Sequence, residues 1–240
     1  MDKSILSTEL RNIIITDAQK NIVLVDEHYN VILVCIVHGH MELLKNSMQE
    51  IHSHRDKFHV QTHRYSAERV MTKKTVMYCH GTRMAIEKNS YGPYRHQDGY
   101  TEEHENLIQT FVHAVWNEVN TDCANLFEIH DTPAYYESTP FSKFSYTFNS
   151  SRSFHADPNN YGKTVAYVTS LNGTAPSGIF VLSSRNICFP ISLASMILVW
   201  DAREEHGTHV FDVNSQTNIF AGCAIFQTTS AINHLKKRNK

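Results

Sequence analysis

Histidine is the residue type most able to do chemistry here, with 16 copies in 240 residues. An imidazole titrates near neutrality and is the commonest metal ligand. The densest group is His52, His54, His59 and His63, with His38 and His40 upstream. On a strand His52 and His54 share a face, and on a helix His59 and His63 do. A zinc site needs about three imidazoles or carboxylates converging at roughly 2.0–2.2 Å from one ion. No HExxH is present, and His206-Gly207-Thr208-His209 spaces two imidazoles without a patterned partner. These histidines are therefore expected to be solvated or hydrogen-bonded, with no metal site and no catalytic residue. Other templates are missing too: GxSxG, GxxxxGK[ST] and GxGxxG do not occur. In Cys79-His80 and His130-Asp131 the two side chains would point to opposite faces of a strand. Glu102-Glu103 and Glu204-Glu205 read as solvated acids.

Charge and composition narrow the classes. Twenty-two Lys and Arg against 24 Asp and Glu give a formal charge of -2, with no basic excess to drive specific nucleic-acid binding. The longest apolar stretch, Ile187 to Trp200, contains Pro190, Ser192 and Ser195 and is too short for a membrane span. No signal-peptide core is expected where Glu9, Arg11 and Asp17 stand. The five cysteines are unpaired by spacing and suit buried thiols. Several tyrosines fall in turn-rich segments, including Tyr91, Tyr94, Tyr100, Tyr135 and Tyr136. Such residues anchor loops or build interfaces that are apolar on one side and hydrogen-bonded on the other.

The elements that must position these residues follow from periodicity. Leu6, Leu10, Ile13 and Ile14 form one apolar stripe and predict an amphipathic helix over Ser4 to Thr16. Ile22 to Val25 and Val31 to Val37 predict a hairpin, Met41 to about Ile51 a helix and Thr75 to His80 a strand. Thr101 caps a helix whose stripe runs Leu107, Ile108, Phe111, Val112, Val115, Trp116 and Val119. Asp131 to Tyr161 reads as irregular with one strand at Phe144 to Phe148. Strands are expected at Thr164 to Ser170, Gly178 to Ser183, Ile191 to Trp200, His209 to Val213 and Phe220 to Gln227. The class is α+β with a largely antiparallel sheet arrangement.

Four short segments then carry a resemblance. Ala194, Met196, Leu198 and Val199 follow an Ala-x-Leu-x-Leu-Val element, and Asp212-Val213-Asn214-Ser215 follows Asp-Ile-Asn-Asn. Gly222-Cys223-Ala224-Ile225 follows Gly-Val-Ala-Leu, and His155-Ala156-Asp157-Pro158 through Tyr161 follows His-x-Asn-Pro-Ser-Ser-Tyr. In this order, over residues 155 to 226, the chain resembles the cypovirus polyhedrins, occlusion-body matrix proteins of insect reoviruses. The resemblance implies one domain, an antiparallel β-sandwich core flanked by helices (21–240) with a projecting N-terminal helical arm (1–20). It implies a non-enzymatic protein that packs as homotrimers into a crystal in the host-cell cytoplasm and encases virus particles. No cofactor is then required, although some relatives hold nucleotides between subunits, and neither a membrane nor a specific nucleic acid is a partner. On this reading Leu6, Leu10, Ile13 and Ile14 serve self-assembly, and ionisation of Tyr91, Tyr94, Tyr100, Tyr135 and Tyr136 serves alkaline release. The alternatives are a His-dependent, metal-assisted hydrolase and a generic viral protein-interaction domain.

Overall fold

Strand-forming residues dominate the structure, a computed structural model that describes residues 4–7, 13–14, 21–37, 39–63, 75–85, 90–127, 135–173, 176–191 and 195–238. The chain runs β1 (Ser4–Ser7), β2 (Ile13–Ile14), β3 (Ile22–Val25), β4 (Val31–Ile36), α1 (Met41–Ser53), β5 (His59–His63), β6 (Thr75–Ala85) and β7 (Ser90–Pro93). It continues through α2 (Glu102–Cys123), β8 (Lys143–Phe148), β9 (Arg152–His155), β10 (Asn160–Leu171), β11 (Gly178–Leu182) and β12 (Ile187–Ile191). The last elements are β13 (Met196–Asp201), β14 (His206–Val210), β15 (Ile219–Thr228) and α3 (Thr229–Arg238).

A ten-stranded sheet has the order β1-β3-β4-β13-β10-β15-β8-β6-β5, with β7 paired to β6. A five-stranded sheet has the order β2-β12-β11-β14-β9. From β8 onward the chain crosses repeatedly between them: β8, β10, β13 and β15 enter the large sheet, and β9, β11, β12 and β14 the small one. Eight strands shared four and four between two facing sheets make a jelly roll. All of these neighbours within the roll pair antiparallel. The expected α+β domain with an antiparallel two-sheet core is therefore what the chain forms. No helix among the described residues is long and apolar enough to cross a membrane.

Alternation along the strands splits the apolar residues into two layers. In β10, Val165 and Tyr167 face the helices, whereas Ala166 and Val168 face the small sheet. The helix side collects Leu44, Met48 and Ile51 of α1 with Ile108, Phe111, Val112, Val115 and Trp116 of α2. The inter-sheet side collects Phe180, Leu182, Phe189, Leu198 and Trp200. The α2 start is fixed as its sequence predicts: the Thr101 N–H donates to His104 Nδ1 at 3.1 Å, and Glu102, Glu103 and Glu105 occupy the first turn.

The N-terminus departs from its reading as a helix. Ser4–Ser7 pairs in parallel with β3, and Ile13–Ile14 pairs in parallel with β12, so Leu6, Ile13 and Ile14 are strand residues. Leu10 lies outside the described residues. Two β-branched isoleucines in sequence favour an extended strand that finds ladder partners over a short helix that is marginal alone. The run from Ile191 to Trp200 is likewise two strands in different sheets, β12 ending at Ile191 and β13 beginning at Met196. The segment read as mostly irregular also holds β9 and the start of β10.

Candidate functional site

At one open end of the jelly roll the two sheets part around a cavity of about 290 Å³. β9 ends on His155, the next turn carries Asp157, and β14 begins on His206, directly opposite His155 in the ladder. The Asp157 N–H donates to the Ala202 carbonyl at 2.8 Å, which ties this turn to the end of β13. The ladder between β9 and β14 shifts register between His206 and Thr208, a local irregularity of the kind that re-aims side chains. As a result, ligand atoms of His155, Asp157 and His206 all lie within 4.8 Å of one another. Each imidazole Nε2 is 3.7 Å from an Asp157 carboxylate oxygen.

The tautomers follow from the other ring nitrogens. His155 Nδ1–H donates to the Ser153 carbonyl at 2.7 Å, and His206 Nδ1–H donates to the Glu204 carbonyl at 2.9 Å. A carbonyl can only accept, so in each neutral ring the lone pair sits on Nε2 and faces Asp157. This is the orientation that outer hydrogen bonds impose on metal-binding histidines. Burial is the main cause that holds the His206 imidazole below its ordinary pKa, which favours the neutral, ligating form. Its ring packs on Trp200 at 5.0 Å and on Phe180 at 6.1 Å.

The same cavity contains an ammonium without an anionic partner among the described residues. Lys143 of β8 points into it, with Nζ 5.4 Å from the Tyr94 ring and 5.5 Å from the Phe226 ring. Burial lowers the pKa of this ammonium, the nearby Cys79 and Asp157 raise it, and Arg152 lowers it further. Trp200 also lines the cavity, and its Nε1–H is buried with no hydrogen-bond partner among the described residues. Arg152 reaches the Met77 sulfur at 3.6 Å on the same wall.

The histidines singled out by density lie elsewhere. His52 packs edge-on against Phe148 at 4.3 Å, His54 against His104 at 4.9 Å, and His59 Nδ1 bonds the Arg95 carbonyl at 3.0 Å. His40 bonds Glu118 at 2.6 Å; His38 and the side chain of His63 fall outside the described residues. The tyrosines form a second buried assembly. His80 Nε2–H donates to Glu105 Oε2 at 3.0 Å, and its Nδ1 lies 2.8 Å from the Tyr136 hydroxyl. The Tyr100 hydroxyl donates to Glu105 at 2.9 Å and that of Tyr135 at 3.2 Å. Tyr94 is buried, and Tyr91 lies in β7. Tyr100, Tyr135 and, through His80, Tyr136 are thus internal anchors around Glu105, whereas Tyr94 packs with Met77 and Cys79.

No protein-family model and no curated protein matches the chain. A solved structure described as NgTET1 in complex with 5mC DNA is similar with a TM-score of 0.60 at 12% identity, over 100% of this chain and 91% of that one. The structure of OsALKBH1 aligns at a TM-score of 0.43 and 11% identity, over 81% of this chain and 96% of that one. The first match shows a shared fold. Together with the converged His155, Asp157 and His206, it overturns the expectation of a non-enzymatic occlusion-body protein that needs no cofactor and releases virions in alkali. The metal-enzyme alternative was nearer, but of the histidines weighed for it only His206 belongs to this group.

Proposed function

We propose that the protein is a non-haem Fe(II) oxygenase that uses a 2-oxo dicarboxylate, of the 2-oxoglutarate type, as co-substrate. The observation that carries this reading is the set of two Nε2 atoms and one carboxylate, converged and pre-oriented. Two histidines and one carboxylate with open positions are the ligand set of non-haem Fe(II) oxygenases. Donors about 2.1 Å from a common metal stand roughly 3.0–3.4 Å apart. Here each Nε2 is 3.7 Å from a different Asp157 oxygen and the three ligand atoms lie within 4.8 Å of one another, so the side chains would draw in around an ion. The fold shared with NgTET1 is consistent with the reading.

When bound, Fe(II) supplies one-electron and O₂ chemistry that no side chain offers. His155, Asp157 and His206 would hold it. Lys143, with Arg152 on the same wall, would supply the positive charge for a carboxylate. Phe180, Trp200 and Phe226 exclude bulk water from the apolar walls, which strengthens each charged contact inside. At about 290 Å³ the cavity sits at the small end of ligand pockets and suits a short dicarboxylate.

The test is consumption of 2-oxoglutarate with release of succinate, followed in air with added Fe(II). Wild-type protein should show slow turnover even without a second substrate, and Asp157→Ala none. Lys143→Met should weaken 2-oxoglutarate binding, read by calorimetry on the metal-loaded protein, by roughly ten- to a hundredfold. Equal binding by wild type and Lys143→Met would remove Lys143 from this role.

A further inference from the structure

Of the three ligand groups, the Asp157 carboxylate has the most freedom, because it offers two oxygens and can turn about its own bond. The β9–β14 ladder fixes where the two imidazoles stand. Asp157 lies past the end of β9, in the tight turn Asp157-Pro158-Asn159-Asn160. The Asn160 N–H closes that turn on the Asp157 carbonyl at 3.0 Å, and the Thr229 N–H donates to the Asn159 carbonyl at 2.8 Å. Pro158, second in the turn, presets the bend. These bonds hold the backbone of Asp157. They do not select which of its carboxylate oxygens faces an ion.

That selection falls to Asn160, the first residue of β10. Its Nδ2 donates to Asp157 Oδ2 at 3.4 Å and to Thr164 Oγ1 at 3.3 Å. A carboxylate only accepts, so the NH₂ and not the carboxamide oxygen must face Asp157. Thr164 is fully buried and stands opposite Trp200 in the β10–β13 ladder, and the Trp200 ring packs on His206. The NH₂ is thus steadied from the same ladder that backs the second imidazole. Neither imidazole donates to the carboxylate, because each presents a lone pair at Nε2. Among the described residues the side-chain donor to Asp157 is therefore Asn160, and it reaches Oδ2. Oδ1, 3.7 Å from His155 Nε2, keeps its lone pairs for an ion.

We propose that Asn160 is a positioning residue of the metal centre: through an NH₂ that Thr164 steadies, it holds Asp157 Oδ2 away from the ion, so that Asp157 binds through Oδ1 alone. A carboxylate that bound through both oxygens would fill one of the positions this ligand set otherwise leaves open. The inference rests on the reading of His155, Asp157 and His206 as a metal site. Both bonds from Nδ2 are long, which places the expected effect at the lower end of the roughly ten- to hundredfold range for groups that orient a metal ligand.

Titration of the full chain with Co(II) tests it, with affinity read by calorimetry and coordination number by the visible absorption of the saturated protein. Asn160→Leu keeps the bulk of the side chain and removes the donor, whereas Asn159→Ala alters the same turn without changing the bond to Asp157. Asn160→Leu should weaken Co(II) binding about tenfold. At saturation its visible bands should also lose intensity, because a second carboxylate oxygen raises the coordination number. Asn159→Ala should match wild type in both readouts. If Asn160→Leu does not fold, Thr164→Val takes its place. It has nearly the same shape, frees one N–H of the same NH₂, and should weaken Co(II) by a smaller factor with the same spectral change. Wild-type affinity and spectrum in the variant that folds, or an equal loss in Asn159→Ala, would overturn the proposal and leave the metal site standing. Absence of Co(II) binding by wild type would overturn the metal reading itself, and this inference with it.

Discussion

His155 and His206 each commit Nδ1 to a backbone carbonyl two residues earlier in the chain, so the backbone that builds the ladder also aims the two Nε2 atoms. Removing Asp157 leaves two imidazoles with no anionic ligand. Asp157→Ala and His206→Ala should each lower Fe(II) or Co(II) affinity by at least about a hundredfold, read by equilibrium dialysis. In the sequence this site shows only as His155-x-Asp157 with a further His 49 residues past the aspartate. That signal is faint, because sixteen histidines offer many such combinations and only strand pairing selects His206. Histidine density pointed instead to His52, His54 and His59, whose rings serve packing and backbone bonds. The Glu105 cluster carries its own prediction. Burial alone would raise the Glu105 pKa, but the bond and charge of His80, with bonds from Gln109 and Tyr100, bring it down from 4.5 to about 2. A carboxyl depressed in the folded state stabilises above its unfolded pKa and loses that contribution as pH falls through the folded one. The contribution is thus complete above pH 4.5, disappears towards pH 2, and is on the order of 3 kcal/mol. Denaturant unfolding of wild type and Glu105→Gln between pH 2 and 6 should converge at the acid end; parallel curves would show that Glu105 is not the linked group.

At the scale of elements, the β9–β14 pair is the device that makes the centre. Gly207 follows His206, and a Cβ there would stand 2.7 Å from the Phe154 ring and 3.0 Å from the Arg152 carbonyl oxygen. Gly207→Ala should push β9 away from β14 and weaken metal binding by roughly tenfold while circular dichroism remains native. Unchanged affinity would mean that the ladder tolerates the added methyl without moving His155. The α2 stripe tests the helix-side layer. Phe111 is fully buried and meets Phe144 at 5.7 Å and Tyr167 at 5.6 Å, so Phe111→Ala should cost about 3–5 kcal/mol in chemical denaturation. Elements with long, one-sided periodicity were legible: α2, the β3–β4 hairpin, β8, β10, β11 and β15 lie close to where their patterns place them. The failures share a cause. Ser4–Ser7 and Ile13–Ile14 gain ladder partners distant in sequence, β3 and β12, which local periodicity cannot register. β9 is only four residues long, with Ser153 and Phe154 exposed, so no buried face marks it in the sequence.

For the whole molecule, the two-sheet α+β architecture was legible, but the use made of it was not. Four short motifs in order suggested a crystal-forming matrix protein, whereas the candidate ligands His155, Asp157 and His206 come together where a turn and a strand start meet in space. The alkaline argument also changes. Burial pushes the Cys35 and Cys223 thiols up to about 12 from 9.0 and raises the Tyr100, Tyr135 and Tyr136 phenols above their ordinary value. Acids raised in the folded state remain neutral there while the unfolded chain ionises. Their contribution to stability is complete below the unfolded pKa values of 9.0 and 10.0 and is lost as pH rises beyond them. The thermal midpoint should therefore fall progressively above about pH 9, and phenolate absorbance should lag until unfolding. Ionisation of these phenols in a still-folded protein would contradict that.

The most direct test of the central claim is anaerobic titration of the metal-free protein with Fe(II), with bound metal counted per chain and 2-oxoglutarate then added. The account predicts one Fe(II) per chain for wild type, none for Asp157→Ala, and 2-oxoglutarate binding that is strengthened by the metal. Fe(II) bound equally by wild type and Asp157→Ala, or by neither, would contradict it.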